Sequence, residues 1–258
     1  MIRGILDFLR GGAQALQPKQ RQKLFFESGP DHIYAVGDVH GYDDTLGRLE
    51  ELIVADGSKR DGTKWLVMLG DYVDRGPRSS AVLTRLTTRP LVGIRRVCLA
   101  GNHEAVMLDF LGNPSADHPW LRLGGLQTLS SYGLNTLPAN REEQKKLLRS
   151  LIPVAHVAFL ESLPSMLQVP GFCFVHAGLK KGVAPADQTD ADLLWLRPLA
   201  TDGNAAINGF VTVHGHTPVA GVEIRPERIN IDTGIYMSGV LSAVRLSRRE
   251  PPEIIQSR

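Results

Sequence analysis

Five short polar segments along the chain combine Asp, His, Asn and Arg with glycine. They are Gly37-Asp38-Val39-His40-Gly41, Gly70-Asp71-Tyr72-Val73-Asp74-Arg75-Gly76, Gly101-Asn102-His103-Glu104, His176-Ala177-Gly178 and Gly215-His216-Thr217. Carboxylate, imidazole and carboxamide groups are the ligands a pair of divalent cations takes, and arginine is suited to hold an oxyanion beside them. Asp38 and His40 stand two apart, so in extended chain both side chains point the same way and can face one metal. Gly37 and Gly41 allow a tight turn around them. Asp71 has two carboxylate oxygens, which could bridge two cations set about 3.5–4 Å apart. Asn102 offers a neutral carbonyl oxygen, and His176 and His216 offer imidazole nitrogens. A mixed nitrogen and oxygen set without thiolate suits Mn, Fe or Zn better than Ca or Mg. One such segment alone reads more simply as a glycine turn with a surface side chain. Five in series do not.

Something must carry these segments to one place. Each follows a short apolar run, at residues 33–36, 65–69, 97–100, 172–175 and 210–213. Near-continuous apolarity is the pattern of strands buried on both faces. Helical spacing of Leu46, Leu49, Leu52 and Ile53 predicts a helix over 43–54, and a second is expected over 79–86. Strand, loop, helix, strand is the grammar of an α/β sheet, whose ligands gather outside the carboxyl ends of its strands. Residues 104–163 read as mostly helical, with the charged stretch 141–146 as a solvated helix face. The pattern after residue 210 is strand-rich again, at 228–232 and 240–246.

In this order and spacing, the five segments resemble the calcineurin-like metallophosphoesterases. Within that superfamily the chain is most similar to the phosphoprotein phosphatase family, in particular its compact bacterial and bacteriophage serine/threonine phosphatases. The resemblance spans roughly residues 31–246. It implies an α/β (α+β by some schemes), layered αββα sandwich of two mixed β-sheets flanked by helices. It assigns Asp38 and His40 to one metal, Asp71 to the bridge, and Asn102, His176 and His216 to the other metal. His103 becomes the catalytic acid, oriented by Asp74, while Arg75 and Arg197 bind phosphoryl oxygens, with Asn102 also at the substrate. His214, two residues before His216, is a competing imidazole, but the Gly-His-Thr context favours His216. Glu104 and the segment Ile231-Asp232-Thr233-Gly234 also fit the family, Glu104 in a supporting role. The cofactors implied are two divalent ions, Mn first, with Fe or Zn as alternatives. The expected reaction is hydrolysis of phosphoserine and phosphothreonine in a phosphorylated protein or peptide, extending to phosphotyrosine. A dinucleoside polyphosphate hydrolase on the same scaffold is the alternative; Asp74 and Glu104 follow the protein-phosphatase pattern instead. A non-catalytic phosphate-binding module would lack a ligand or the acid, and none is missing.

Composition narrows the rest. The 258 residues, with ligands from Asp38 to His216, are expected to form one metallophosphoesterase domain at 31–250. A leader at 1–30 and a tail at 251–258 would flank it. A net charge of +2 and the lack of a basic stripe argue against nucleic acid as partner. No apolar stretch has the length of a membrane span. The first ten residues, with Ile2, Ile5, Leu6 and Leu9 at helical spacing, lack a small-residue cleavage site and read as a short amphipathic leader. Cys98 and Cys173 are expected to be buried, reduced thiols, and the chain cytoplasmic.

Overall fold

Alternate residues of the central strands enter two different apolar layers, and that alternation organises the molecule. The computed structural model describes residues 20–197 and 209–258. Its strands are β1 (Lys23–Phe25), β2 (His32–Val36), β3 (Lys64–Met68), β4 (Arg95–Cys98), β5 (Met166–Val169), β6 (Phe172–Val175), β7 (Val211–His214), β8 (Glu223–Ile224), β9 (Arg228–Asn230), β10 (Leu241–Leu246) and β11 (Glu253–Ser257). They form a five-stranded sheet in the order β11-β10-β2-β3-β4 and a six-stranded sheet in the order β1-β5-β6-β7-β9-β8. Both are mixed: β2, β3 and β4 run parallel while β10 joins β2 antiparallel, and β6, β7 and β9 run parallel while β5 joins β6 antiparallel.

In the first sheet Ile33, Ala35, Val67 and Val97 turn towards Leu167, Phe174, Val213 and Ile229 of the second, which makes the layer between the sheets. Their neighbours Tyr34, Val36, Leu66 and Met68 face the opposite way, onto Leu46, Leu49, Ile53, Val82 and Leu83. Those five belong to the helices Asp43–Gly57 and Ser79–Thr88. The helix Asp190–Trp195 covers the far face of the second sheet, with Leu193 packed among Met166, Cys173 and Val175. Strands buried on both faces need apolar residues at every position, and for that reason they were visible as unbroken runs. The layering is the αββα sandwich. The middle section carries the helices Asn102–Gly112, Gly125–Ser131, Arg141–Leu151 and Val154–Ser162. Among the described residues no helix is long and apolar enough to cross a membrane. Both cysteines are free thiols; Cys173 is buried, as expected, but Cys98 is only half-buried.

Two segments expected to flank the domain carry strands. Within the expected leader, β1 pairs with β5, and the expected tail contains β11, paired along its length with β10. Edge strands are short and partly exposed, so their sequences lack the continuous apolarity that marked the central ones. The amphipathic stretch at residues 2–9 lies outside the described residues.

The β11 edge is tied down by charge. The nearly buried Arg245 bonds to Glu250 and Glu253, and its Nε lies 3.4 Å from Asp56 Oδ2, which also accepts from Tyr34 Oη at 2.6 Å. Removing one partner of such a cluster strands the others. Arg245→Met should therefore lower unfolding free energy by about 1–3 kcal/mol, discounted because the glutamates are half in water. Burial pushes Asp56 up, but its bonds from Arg60 and Tyr34 outweigh that and hold it below the usual carboxylate range; Glu250 is lowered mainly by its bond from Arg245. Carboxylates lowered in the folded state stabilise it above their unfolded pKa, about 4, and that contribution fades as pH falls through their folded values. Thermal melts at neutral pH and near pH 3 should thus show a smaller acid-induced drop for Arg245→Met than for the unaltered chain.

Candidate metal centre and active site

All five motif segments leave the carboxyl ends of parallel-paired strands: β2, β3, β4, β6 and β7. Backbone hydrogen bonds lock the loops together. Asp71 O accepts from Val39 N and His40 N at 3.0 and 2.8 Å, and His176 O accepts from Gly215 N at 2.9 Å. His40, Asp71, Asp74, Arg75 and His216 all have positive φ, between 45° and 74°, and no other non-glycine residue described does. Non-glycine residues rarely occupy that region, and they cluster where surrounding structure over-determines them. Gly76 permits the closest approach, since a Cβ there would stand 2.0 Å from His40 O, and one on Gly101 would stand 2.2 Å from Asp71 Oδ1.

The donor atoms of His40, Asp71 and His103 converge, as do those of Asp71, His176 and His216, so Asp71 belongs to both groups. Its Oδ2 lies 3.6 Å from His40 Nε2 and its Oδ1 lies 3.4 Å from His176 Nε2. Asn102 Oδ1 sits 2.9 Å from His176 Nε2 and 3.0 Å from His216 Nδ1. Asp38 is buried beside them, its carboxylate accepting from His216 N at 3.2 Å. His214 is absent from both groups and its Nδ1 lies against the carbonyl of Gly215, so of the two imidazoles it is His216 that joins the cluster.

The polarity of this cluster fits cations. His176 Nδ1 donates to Leu69 O at 3.0 Å and His40 Nδ1 donates to Val73 O at 2.9 Å. In a neutral ring this leaves Nε2 with a lone pair. Burial lowers His176 and pushes both His40 and His216 down to about 3, so all three are neutral near pH 7. The His176 lone pair consequently faces the acceptor oxygens of Asn102 and Asp71. Burial and the nearby Asp232 and Asp71 also push Asp38 well up. Acceptors aimed at acceptors, among crowded carboxylates, are an arrangement that positive ions relieve.

Beside the cluster, His103 Nδ1 donates to Asp74 Oδ2 at 2.6 Å, and both side chains are buried. Burial alone would lower His103, but Asp71 and Asp74 outweigh it and the imidazole is raised above its ordinary value. Arg75 reaches into the same space, Nη1 3.0 Å from His40 Nε2 and Nη2 3.1 Å from His103 Nε2. Arg197 is exposed, just beyond the helix Asp190–Trp195, and its charge contributes to the depression of His216.

The profile of the family described as Calcineurin-like phosphoesterase matches residues 32–236. The chain belongs to the calcineurin-like phosphoesterase family. A bis(5'-nucleosyl)-tetraphosphatase PrpE [asymmetrical] of Bacillus velezensis is 28% identical over 242 residues, covering 86% of this chain and 92% of the relative. Serine/threonine-protein phosphatase 2 of Escherichia coli is 26% identical over 232 residues, covering 83% and 93%. A crystal structure of a cold-active protein-tyrosine phosphatase from a psychrophilic Shewanella shares the fold, with a TM-score of 0.59 at 20% identity, over 92% of this chain and 84% of that one. The chain is thus a phosphoester hydrolase of a family that uses a dinuclear metal centre, and its buried Asp, His and Asn cluster supplies candidate ligands.

Further residues of this phosphoesterase shape the site around these groups. Glu104 accepts backbone N–H bonds from Gly101 and Asp71 at 2.8 Å, from Tyr72 at 2.7 Å and from Val73 at 3.3 Å. It thereby clamps the loop after β3 to the start of the helix after β4. Burial first, then Asp71, push its carboxyl up to about 7. Replacing it with Gln would turn an NH₂ group towards backbone donors. Glu104→Gln should lower unfolding free energy by about 1–3 kcal/mol and loosen Asp71, read as reduced metal content after dialysis. Tyr236 lies under the Arg75 guanidinium, 4.2 Å from its ring centroid, and edge-on to His40. Trp120, from a short 3-10 turn at Pro119–Leu123, and Thr128, from the helix Gly125–Ser131, both reach Asp74. A buried indole N–H usually finds an acceptor, but that Trp120 is buried and which acceptor it finds are matters of tertiary contact.

Proposed function

We propose that the chain hydrolyses phosphomonoesters of serine and threonine in proteins, with phosphotyrosine as a further substrate class. The observation that carries this reading is the buried 2.6 Å contact between His103 and Asp74, set beside the metal-ligand cluster. An alkoxide is a poor leaving group and needs a proton as it departs, and an imidazole is suited to give it near neutral pH. Asp74 fixes the ring through Nδ1, so Nε2 is the atom from which the proton would leave. Arg75 and Arg197 would hold the phosphoryl oxygens, where a fork of N–H donors is most useful as charge shifts during transfer. Asp38 and His40 would hold one divalent ion, Asn102, His176 and His216 the other, and Asp71 both, with Mn the ion best matched to the donor set. When bound, the ions would lower the pKa of water to supply the nucleophile and offset the charge of the phosphoryl group.

A second reading, hydrolysis of a dinucleoside polyphosphate, is favoured by the name of the Bacillus relative. Its leaving group is a phosphate oxygen, which departs with little protonation and makes less use of an oriented acid. The test compares catalytic efficiency of metal-loaded protein on a phosphoserine peptide, a phosphotyrosine peptide and diadenosine tetraphosphate. A higher efficiency on the phosphopeptides is expected. A clear preference for the dinucleotide would replace the first reading with the second.

A further inference from the structure

The segment between the third and fourth motifs contributes two buried polar contacts to the active site. Trp120 Nε1 donates to Asp74 Oδ2 at 2.8 Å, the oxygen that His103 also uses. Thr128 Oγ1 donates to Asp74 Oδ1 at 2.7 Å and accepts from Asp74 N at 2.8 Å. Trp120, Thr128 and Asp74 are all fully buried. Two glycines let the segment seat so closely: a Cβ on Gly124 would stand 2.5 Å from Arg75 N, and one on Gly125 would stand 2.5 Å from the Trp120 ring. The backbone that Gly124 presses against is the strained pair Asp74 and Arg75, at φ 74° and 69°.

We infer that Trp120 and Thr128 are positioning residues for leaving-group protonation, holding the Asp74 carboxylate so that it orients His103. This rests on the reading of His103 as the acid. A carboxylate on a strained loop can rotate about its own side-chain torsions, and His103 alone would touch just one of its oxygens. With indole N–H and imidazole N–H on Oδ2 and a hydroxyl on Oδ1, both oxygens are engaged and the plane is fixed. The imidazole plane follows, and with it the direction of Nε2. Neither residue reaches the ligand cluster, so their effect should be confined to substrates that need the proton.

The test replaces Trp120 with Phe, and Thr128 with Val or Ser. Each is measured on a phosphoserine peptide and on nitrophenyl phosphate, whose leaving group departs almost unaided, with metal content and thermal melts recorded. Trp120→Phe and Thr128→Val should each lower kcat on the peptide by about 10-fold or more, a fraction of the 10²–10⁴-fold that a general acid supplies. KM should stay near its original value, the aryl ester should slow by less than about 3-fold, and Thr128→Ser should recover most of the loss. Equal slowing of both esters at unchanged metal content would overturn the inference, as would unchanged peptide turnover. Should Trp120→Phe fail to fold, Thr128→Val against Thr128→Ser decides by the same criterion. A wild-type preference for diadenosine tetraphosphate would defeat the substrate reading alone, because this comparison uses two phosphomonoesters whatever the natural substrate.

Discussion

Exhaustive removal of divalent metal should bring turnover down to background, and adding Mn should restore it. The cause lies in the lone pair of His176, which faces carboxylate and carboxamide oxygens rather than donors, and in the carboxylates crowded beside it. Such a site has nothing to lower the pKa of water and supply a nucleophile until divalent cations enter it. Elemental analysis of active protein should find up to two ions per chain, since Asp71 stands in two ligand groups. Because ion binding would also relieve the crowding of Asp38, Asp71 and Asp232, the melting temperature should rise with added metal in a concentration-dependent way. Full turnover after chelation, with metal absent by elemental analysis, would sink the metal-centre reading.

His103→Asn should slow hydrolysis of a phosphoserine peptide by about 10²–10⁴-fold while metals stay bound. The imidazole donates to Asp74 through Nδ1, and its Nε2 points to the space shared with Arg75, so its assigned task is to move a proton. An aryl phosphate should be affected less, since its leaving group needs little protonation. Asp74→Asn should give a milder form of the same selectivity, because it acts through the ring. His103 also stands near His40 and Asp71 in one possible ligand group, so metal content must accompany every rate. Loss of metal from His103→Asn, or equal slowing of both esters, would assign the residue to the metal instead of to the leaving group.

Asp38 and Glu104 differ in how much of their role is encoded locally. Asp38 was singled out because Asp-x-His after an apolar run has a local meaning. The structure places it next to Asp232 and against His216 N, contacts that span 194 and 178 residues of chain. Glu104 looked like a supporting residue, and the four backbone groups it bonds could be known only once two loops had met. Similarly, Trp120 and Thr128 sat in a helical section that had no assignable role, 46 and 54 residues from the Asp74 they contact.

By itself the sequence determined the central strands, the two flanking helices, the ligand types and the family. Those properties are encoded over a few adjacent residues: unbroken apolarity where both faces are buried, glycine where loops turn, and Asp, His and Asn where cations would be held. Tertiary structure alone decided that β1 and β11 complete the sheets and which Asp71 oxygen faces which histidine. It also decided which side chains hold Asp74. Such facts depend on pairing between distant segments and on the direction of single lone pairs. Neither leaves a periodic trace in the chain, because a contact made after two loops converge constrains the partner's chemistry without constraining its neighbours.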